Sequence, residues 1–158
     1  MNPDPPRLPL YRDTVRPEWI DYNGHMSEAF YVLVFGFATD TVMELIGVDA
    51  DYRKSTGCSM YTVESHVRYL RDVPEGARLA VRTRVLGAVG KKAWFTHEMY
   101  VGTEPAPDAD PVATIELLLL HVDQNAGRAT PFPEPILDTL DSLTEQPPSW
   151  TGRSVGAP

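Results

Sequence analysis

Residues 19–26 read Trp-Ile-Asp-Tyr-Asn-Gly-His-Met, placing an acid, an amide and an imidazole within five positions. Asp21 can accept a proton from water or attack a carbonyl itself; His25 can move a proton, and Asn23 can orient a polar group. The plainest account of Asp21, Asn23, Gly24 and His25 is a capping turn, because Asx residues and glycine accept turn geometry readily. The functional account depends on what comes next. Ser27 opens an apolar run, so the loop delivers its side chains to a helix N-terminus. The first amides of a helix lack internal partners and can hold an anion or a developing oxyanion. Here those amides are the backbone N–H groups around Ser27 and Glu28.

Glu64 is a second acid of interest, set in a stretch rich in Val, Tyr and Thr. It is either a solvent-facing strand residue or a group that meets the Asp21–His25 loop across a subunit interface. His66 shares its strand face. His97 and His121 lie inside strands and suit structural roles. Neither the four histidines nor Cys58 has the spacing of a zinc site, so no metal is expected. There is no G-x-S-x-G elbow, and Gly90-Lys91-Lys92 lacks the rest of a phosphate loop. Cys58 reads as a small packed side chain rather than a nucleophile.

The elements that must position these groups follow from periodicity. A helix is expected from Ser27 to Ile46, with Ser27 as N-cap, Glu28 at the positive end of the dipole and Gly47 just past the end. Ala29–Ala38 is apolar on every side, which predicts a helix enclosed by other elements. Gly36 inside it predicts a close backbone approach. The run is about half of what spanning a bilayer needs. After the helix the period becomes two, over 58–70, 79–86, 92–101 and 112–122, and a short strand at 10–16 precedes it. Turns at 74–76 and 87–90 suit antiparallel connections, and 134–143 fits a C-terminal helix. The prediction is an α+β domain with the sheet curled around one helix.

The chain has 158 residues, enough for one domain with a sizeable core. Prolines mark its edges: only Pro74 of 15 lies between residues 18 and 104. This suggests an extended arm at 1–9, a domain at 10–145 and a flexible tail at 146–158. A net charge of −8 argues against nucleic-acid or anionic-membrane partners. One cysteine and no basic-then-apolar leader fit a cytoplasmic protein.

The order strand, acid-bearing loop, long helix, four strands resembles the hotdog fold. Asp21-x-Asn23-x-His25-Met26-Ser27-Glu28-x-x-Tyr31 resembles the D-x-N-x-H-V-N-N-x-x-Y signature of acyl-ACP and acyl-CoA thioesterases, with Ser27-Glu28 standing where that family carries Asn-Asn. Asp21, ten residues before Tyr31, also matches the catalytic Asp of the 4-hydroxybenzoyl-CoA thioesterase group. Within the family, the segments 19–31, 38–47, 61–70 and 113–123 resemble the branch that hydrolyses betainyl-CoA in carnitine breakdown, and the likeness spans about residues 12–132.

The resemblance implies a long central helix wrapped by a curved antiparallel sheet of about five strands, and hydrolysis of an acyl-CoA thioester. Asp21 would act as nucleophile or general base, with Asn23, His25 and Glu64 assisting. A quaternary ammonium acyl group cannot donate a hydrogen bond, so aromatic faces and carboxylates must recognise it. Trp19, Tyr22 and Trp94 are the leading candidates, with Tyr31 and Tyr61 beside them. Arg68, Arg71, Lys91 and Lys92 are candidates for the CoA phosphates, although charges on strand edges also serve as edge protection. No cofactor is implied, since CoA is part of the substrate. A homodimer with a continuous sheet is expected, with a tetramer as the larger assembly. The rivals are a thioesterase for another short or aromatic acyl-CoA, an enoyl-thioester hydratase, whose usual residue pattern is not found, and a non-catalytic acyl-CoA-binding module.

Overall fold

The computed structural model describes residues 6–158, so part of the expected arm, residues 1–5, lies outside the described residues. Strand β1 (Tyr11–Thr14) leads through a 3-10 turn (Pro17–Trp19) and the loop to helix α1 (Glu28–Ile46). Then come α2 (Ala50–Thr56), β2 (Cys58–Tyr69), β3 (Arg78–Val89), β4 (Lys92–Val101), β5 (Ala113–Asp123), β6 (Arg128–Ala129) and α3 (Glu134–Leu143). The sheet order is β1-β3-β4-β5-β2, every neighbouring pair is antiparallel, and β6 adds two residues beside β5. This is the hotdog arrangement that the resemblance implies, with a short sixth strand added.

Helix α1 begins at Ser27, whose backbone is extended, and stops at Gly47, whose φ of +100° is the left-handed geometry glycine adopts without strain. Tyr31, Val34, Phe35, Ala38, Val42, Met43 and Ile46 recur at helical spacing and are buried against the sheet. By length and composition α1 is also apolar enough to cross a membrane, with a mean hydropathy of 1.6. In this fold, however, it is the core helix. Its enclosure is incomplete. Val32, Leu33 and Leu45 are exposed because the sheet covers only one side of the helix. The close approach expected at Gly36 is also absent, since a Cβ built there meets nothing within 4 Å.

Alternation of side chains gives the sheet an inner face toward α1 and an outer face. Ile115, Leu117 and Leu119 of β5 are buried, whereas Glu116, Leu118 and Leu120 between them are half-buried. Two bulges break the period-two pattern, one at Val63 in β2 and one at Leu86 in β3. The first places Tyr61 on the outer face with Glu64, because their partners Leu120 and Leu118 share that face. The turn expected at 87–90 is shorter than predicted. Val89 still pairs with Lys92, and Gly90 (φ +62°) and Lys91 make a two-residue connection of the type II′ pattern. Helix α2 was not expected; Asp49 caps it by accepting from the Tyr52 N–H at 2.8 Å.

On the inner face His97 is fully buried. Its ring stacks on Phe35 and sits between the Thr39 hydroxyl (2.8 Å) and the Thr83 hydroxyl (2.7 Å). Burial lowers its pKa to about 3, so it is neutral at ordinary pH. His121 is likewise structural, held between the Tyr52 hydroxyl (2.7 Å) and the Thr130 carbonyl (2.9 Å).

The outer face carries ionic contacts that the sequence did not reveal. Glu98, 4% exposed, accepts from Arg84 Nε at 2.9 Å and from the Tyr100 hydroxyl. Burial, then Glu98, raises the pKa of Tyr100. Arg82 reaches Glu145 at 3.2 Å. Further along the chain, the Gly152 N–H donates to Glu116 at 2.7 Å.

Candidate active site

The loop carrying Asp21 is closed by an antiparallel bridge between Ile20 and Met26. Inside it the Asp21 N–H donates to the His25 carbonyl and the Gly24 N–H to the Asp21 carbonyl, both at 3.0 Å. The Asn23 N–H donates to Asp21 Oδ1 at 2.8 Å. Gly24 has φ +80°, which allows this tight reversal. The turn account of this segment is therefore correct as local structure, but it engages only Oδ1. No other hydrogen bond to the Asp21 carboxylate is present among the described residues.

Two bonds tie the loop to its surroundings. The Ser27 N–H donates to the Trp19 carbonyl at 2.9 Å, and the Met26 N–H donates to the Val73 carbonyl at 2.8 Å. The second clamps the loop to the connection between β2 and β3. Ser27 makes no side-chain cap bond, so the start of α1 is not closed by its own N-cap hydroxyl. Asp21, Asn23, His25 and the first amides of α1 are thus gathered at one end of the helix.

A cavity of about 450 Å³ opens there, lined by Met26, Glu28, Tyr31, Tyr69, Arg71 and Asp72 among others. Tyr31 is buried and its hydroxyl donates to the Arg71 carbonyl at 3.2 Å. The Tyr69 hydroxyl donates to the Glu28 carbonyl at 3.3 Å. The two rings meet edge to face, with centroids 5.2 Å apart. Burial raises the pKa of Tyr31, and the nearby Asp72 and Asp21 charges add to that shift. Burial and then Glu28 raise that of Tyr69. His25 Nδ1 lies 3.9 Å from Asp72 Oδ2. Tyr69 and Asp72 were not singled out in the sequence. The signal available was the inward phase of Tyr69 in β2 and the acid that follows Arg71 directly after that strand.

The other expected site residues are distributed differently. Glu64 lies on the outer face of β2 with His66, pointing away from α1, so a single chain does not bring it to Asp21. Trp94 is on the same outer face and donates from Nε1 to Glu116 at 2.7 Å. Glu64, His66, Trp94, Glu116, Leu118 and Lys92 line a second cleft of about 660 Å³. Trp19 is buried, stacked on Phe30 at 5.6 Å, with the Arg16 guanidinium 5.0 Å over its ring, which leaves it no open face. Tyr22 is 97% exposed beside Asp21. Tyr61 is exposed, and its hydroxyl accepts from Gln124 at 2.8 Å. Of the basic candidates, Arg71 alone lines the cavity at the helix start, where Asp110 faces it at 3.5 Å. Lys91 and Lys92 belong to the exposed β3–β4 hairpin, and Arg68 faces outward from β2. No cluster of three His, Cys, Asp or Glu side chains suited to a metal ion is present among the described residues.

Sequence comparison agrees with this geometry. The family described as the thioesterase-like superfamily matches residues 15–140. The chain belongs to that superfamily. It is 40% identical to a betainyl-CoA thioesterase of Pseudomonas aeruginosa, over 96% of both chains. It is 45% identical to an L-carnitine dehydrogenase/betainyl-CoA thioesterase of Agrobacterium fabrum, across 88% of this chain but only 28% of that longer one. Among solved structures, a putative thioesterase from Pseudomonas putida superposes with a TM-score of 0.81 at 34% identity, covering 99% of both chains. The superfamily match takes in the Asp21 loop, α1 and all four long strands.

Proposed function

We propose that this chain hydrolyses an acyl-CoA thioester and that its substrate is betainyl-CoA, giving glycine betaine and CoA. The observation that carries the reading is the Asp21 loop, folded against the start of a helix whose N-cap side chain leaves the first turn uncapped. The near full-length similarity to the Pseudomonas betainyl-CoA thioesterase supports the acyl group.

In this reading the thioester carbonyl oxygen lies toward the backbone N–H of Glu28, which stabilises the negative charge that develops there; the Ser27 N–H, expected to share that role, is instead spent on the Trp19 carbonyl. Asp21 acts in one of two ways. As general base it takes a proton from water while the water oxygen bonds to the carbonyl carbon. As nucleophile its carboxylate bonds to that carbon, and water then cleaves the resulting anhydride. In both routes the C–S bond breaks, the sulfur leaves with the electron pair, and the proton from water ends on the CoA thiol. Asn23 and His25 orient water and pass the proton. Single turnover in oxygen-18 water tests the nucleophilic route: label in the Asp21 carboxylate requires an anhydride that water opens at the Asp21 carbon, which the general-base route cannot give.

The reading extends to assembly. β2 is an edge strand whose residues 61–65 are all exposed, Val63 and Tyr61 among them. A second copy pairing there makes a homodimer with a continuous sheet and adds the partner's surface beside the site. The exposed Val32, Leu33 and Leu45 of α1 suit a further pairing into a tetramer. A cytoplasmic location accords with one unpaired thiol, Cys58. The test of the activity is thiol release across a panel of acyl-CoAs. Betainyl-CoA should be cleaved fastest; faster cleavage of long chains overturns the acyl assignment, and no release from any member overturns hydrolysis.

A further inference from the structure

A quaternary ammonium acyl group imposes a distance constraint. In a betainyl thioester the nitrogen lies two single bonds from the carbonyl carbon, roughly 2.5 Å away. The surface that holds the cation must therefore adjoin the reacting carbonyl. This disfavours the outer-face cleft around Trp94, which lies across the sheet from α1 and where Glu116 is already engaged by Trp94 and Gly152. Trp19 is disfavoured as well, because Arg16 already occupies its ring face.

The cavity at the start of α1 meets the constraint. Tyr31 and Tyr69 stand at 89° to one another, making a corner whose floor is the buried Tyr31 and whose wall is Tyr69, 45% exposed. Each ring is anchored by its hydroxyl, Tyr31 on the Arg71 carbonyl and Tyr69 on the Glu28 carbonyl, so the corner is fixed before any ligand arrives. Carboxylates surround it: Glu28 acts on Tyr69, and Asp72 and Asp21 act on Tyr31. The one guanidinium lining the cavity, that of Arg71, is faced by Asp110. Aromatic rings with carboxylates beside them are what a trimethylammonium group requires.

We propose that the Tyr31–Tyr69 corner, with Glu28 and Asp72 at its rim, is the subsite that holds the quaternary ammonium head of the acyl group. Tyr69 and Asp72 are its specificity-determining residues. The inference rests on the betainyl reading, and the test distinguishes the two. The substrates are betainyl-CoA and its neutral carbon isostere, 3,3-dimethylbutanoyl-CoA, assayed by thiol release with the full chain. The unsubstituted protein should favour the cation by about tenfold or more in kcat/KM. Tyr69→Leu should remove about tenfold more kcat/KM from betainyl-CoA than from the isostere, and Tyr69→Phe, which keeps the ring, should retain the preference. Asp72→Asn should cost the cation about threefold, and more at low salt than at high salt. Equal losses on both substrates in Tyr69→Leu and Asp72→Asn would overturn the subsite. Rapid cleavage of the isostere without preference for betainyl-CoA in the unsubstituted protein would instead overturn the substrate assignment and leave hydrolysis standing. A melting temperature within about 3 °C of the unsubstituted protein's separates equal losses of this kind from a collapsed variant, which also loses both, and the exposed Asp72→Asn keeps the test open if Tyr69→Leu fails to fold.

Discussion

The two sides of the sheet use their acids in opposite ways. On the outer face the two enclosed carboxylates, Glu98 and Glu116, are engaged, whereas Glu64 in the edge strand stays exposed. Glu98 holds Arg84 and Tyr100, and Glu116 holds Trp94 Nε1 with one oxygen and the Gly152 amide with the other. At the start of α1 the acids are under-used. Asp21 commits one oxygen to its own turn, and Asp72 is faced by His25 at 3.9 Å, with no other ion pair among the described residues. The outer-face cleft is the larger of the two cavities, yet it is the smaller one that opens at the helix start, lined by Glu28, Tyr31, Tyr69 and Asp72. A carboxylate with its partners in place serves structure; one with capacity left over is available for chemistry.

That contrast can be broken most directly at Asp21. Asp21→Asn keeps the shape of the turn and should lower kcat by about 10³-fold, with the melting temperature changed by no more than about 2 °C. Unchanged thiol release would remove Asp21 from the mechanism. The converse experiment is Glu98→Ala, which removes the nearer of Arg84's two acidic partners and leaves Glu145 at 3.7 Å. It should cost about 3 kcal/mol in urea unfolding while kcat stays within about twofold. A variant that is stable but inactive would reverse the assignment of the two faces.

His97 sharpens the comparison from within the core. Its folded pKa, about 3, lies below the value near 6.5 expected in the unfolded chain. The folded state therefore excludes a proton that the unfolded state binds, and the stabilisation is present above about pH 6.5 and lost as pH falls toward 3. Between pH 7 and pH 5 the protein should lose on the order of 2 kcal/mol through this residue. Urea midpoints across that range should fall less in His97→Gln; parallel curves would sink the prediction. The smallest effect expected is that of Glu116→Gln, which keeps an acceptor for Trp94 but weakens the hold on Gly152. Stability should drop by about 1 kcal/mol or less, turnover should stay within about twofold, and the Gly152 amide should exchange faster with solvent.

Much of this was legible in the sequence because it is written locally. Ser27 and Gly47 bound α1 as expected, the period-two runs became β2 to β5, and Asp21, Asn23 and His25 form one loop. What escaped depends on partners far away along the chain. Nothing near Glu145 points to Arg82, 63 residues earlier, or near Glu98 to Arg84 across a hairpin. The bulge at Val63 moved Tyr61 onto the face of Glu64, a change that strict alternation conceals. Helix α2 had a legible Asp49 cap and a terminal Gly57, but none of its seven residues is buried, so no apolar stripe announced it. The corner of Tyr31 and Tyr69 joins residues 38 positions apart, and only the packing of β2 beside α1 brings them together.

The Val63 bulge has one more consequence. An unpaired strand ordinarily invites further strands without limit, which is how fibrils grow. A bulge kinks β2 partway along and interrupts its row of backbone donors and acceptors. A flat, repeating stack finds no uniform template there, so the exposed border resists open-ended growth.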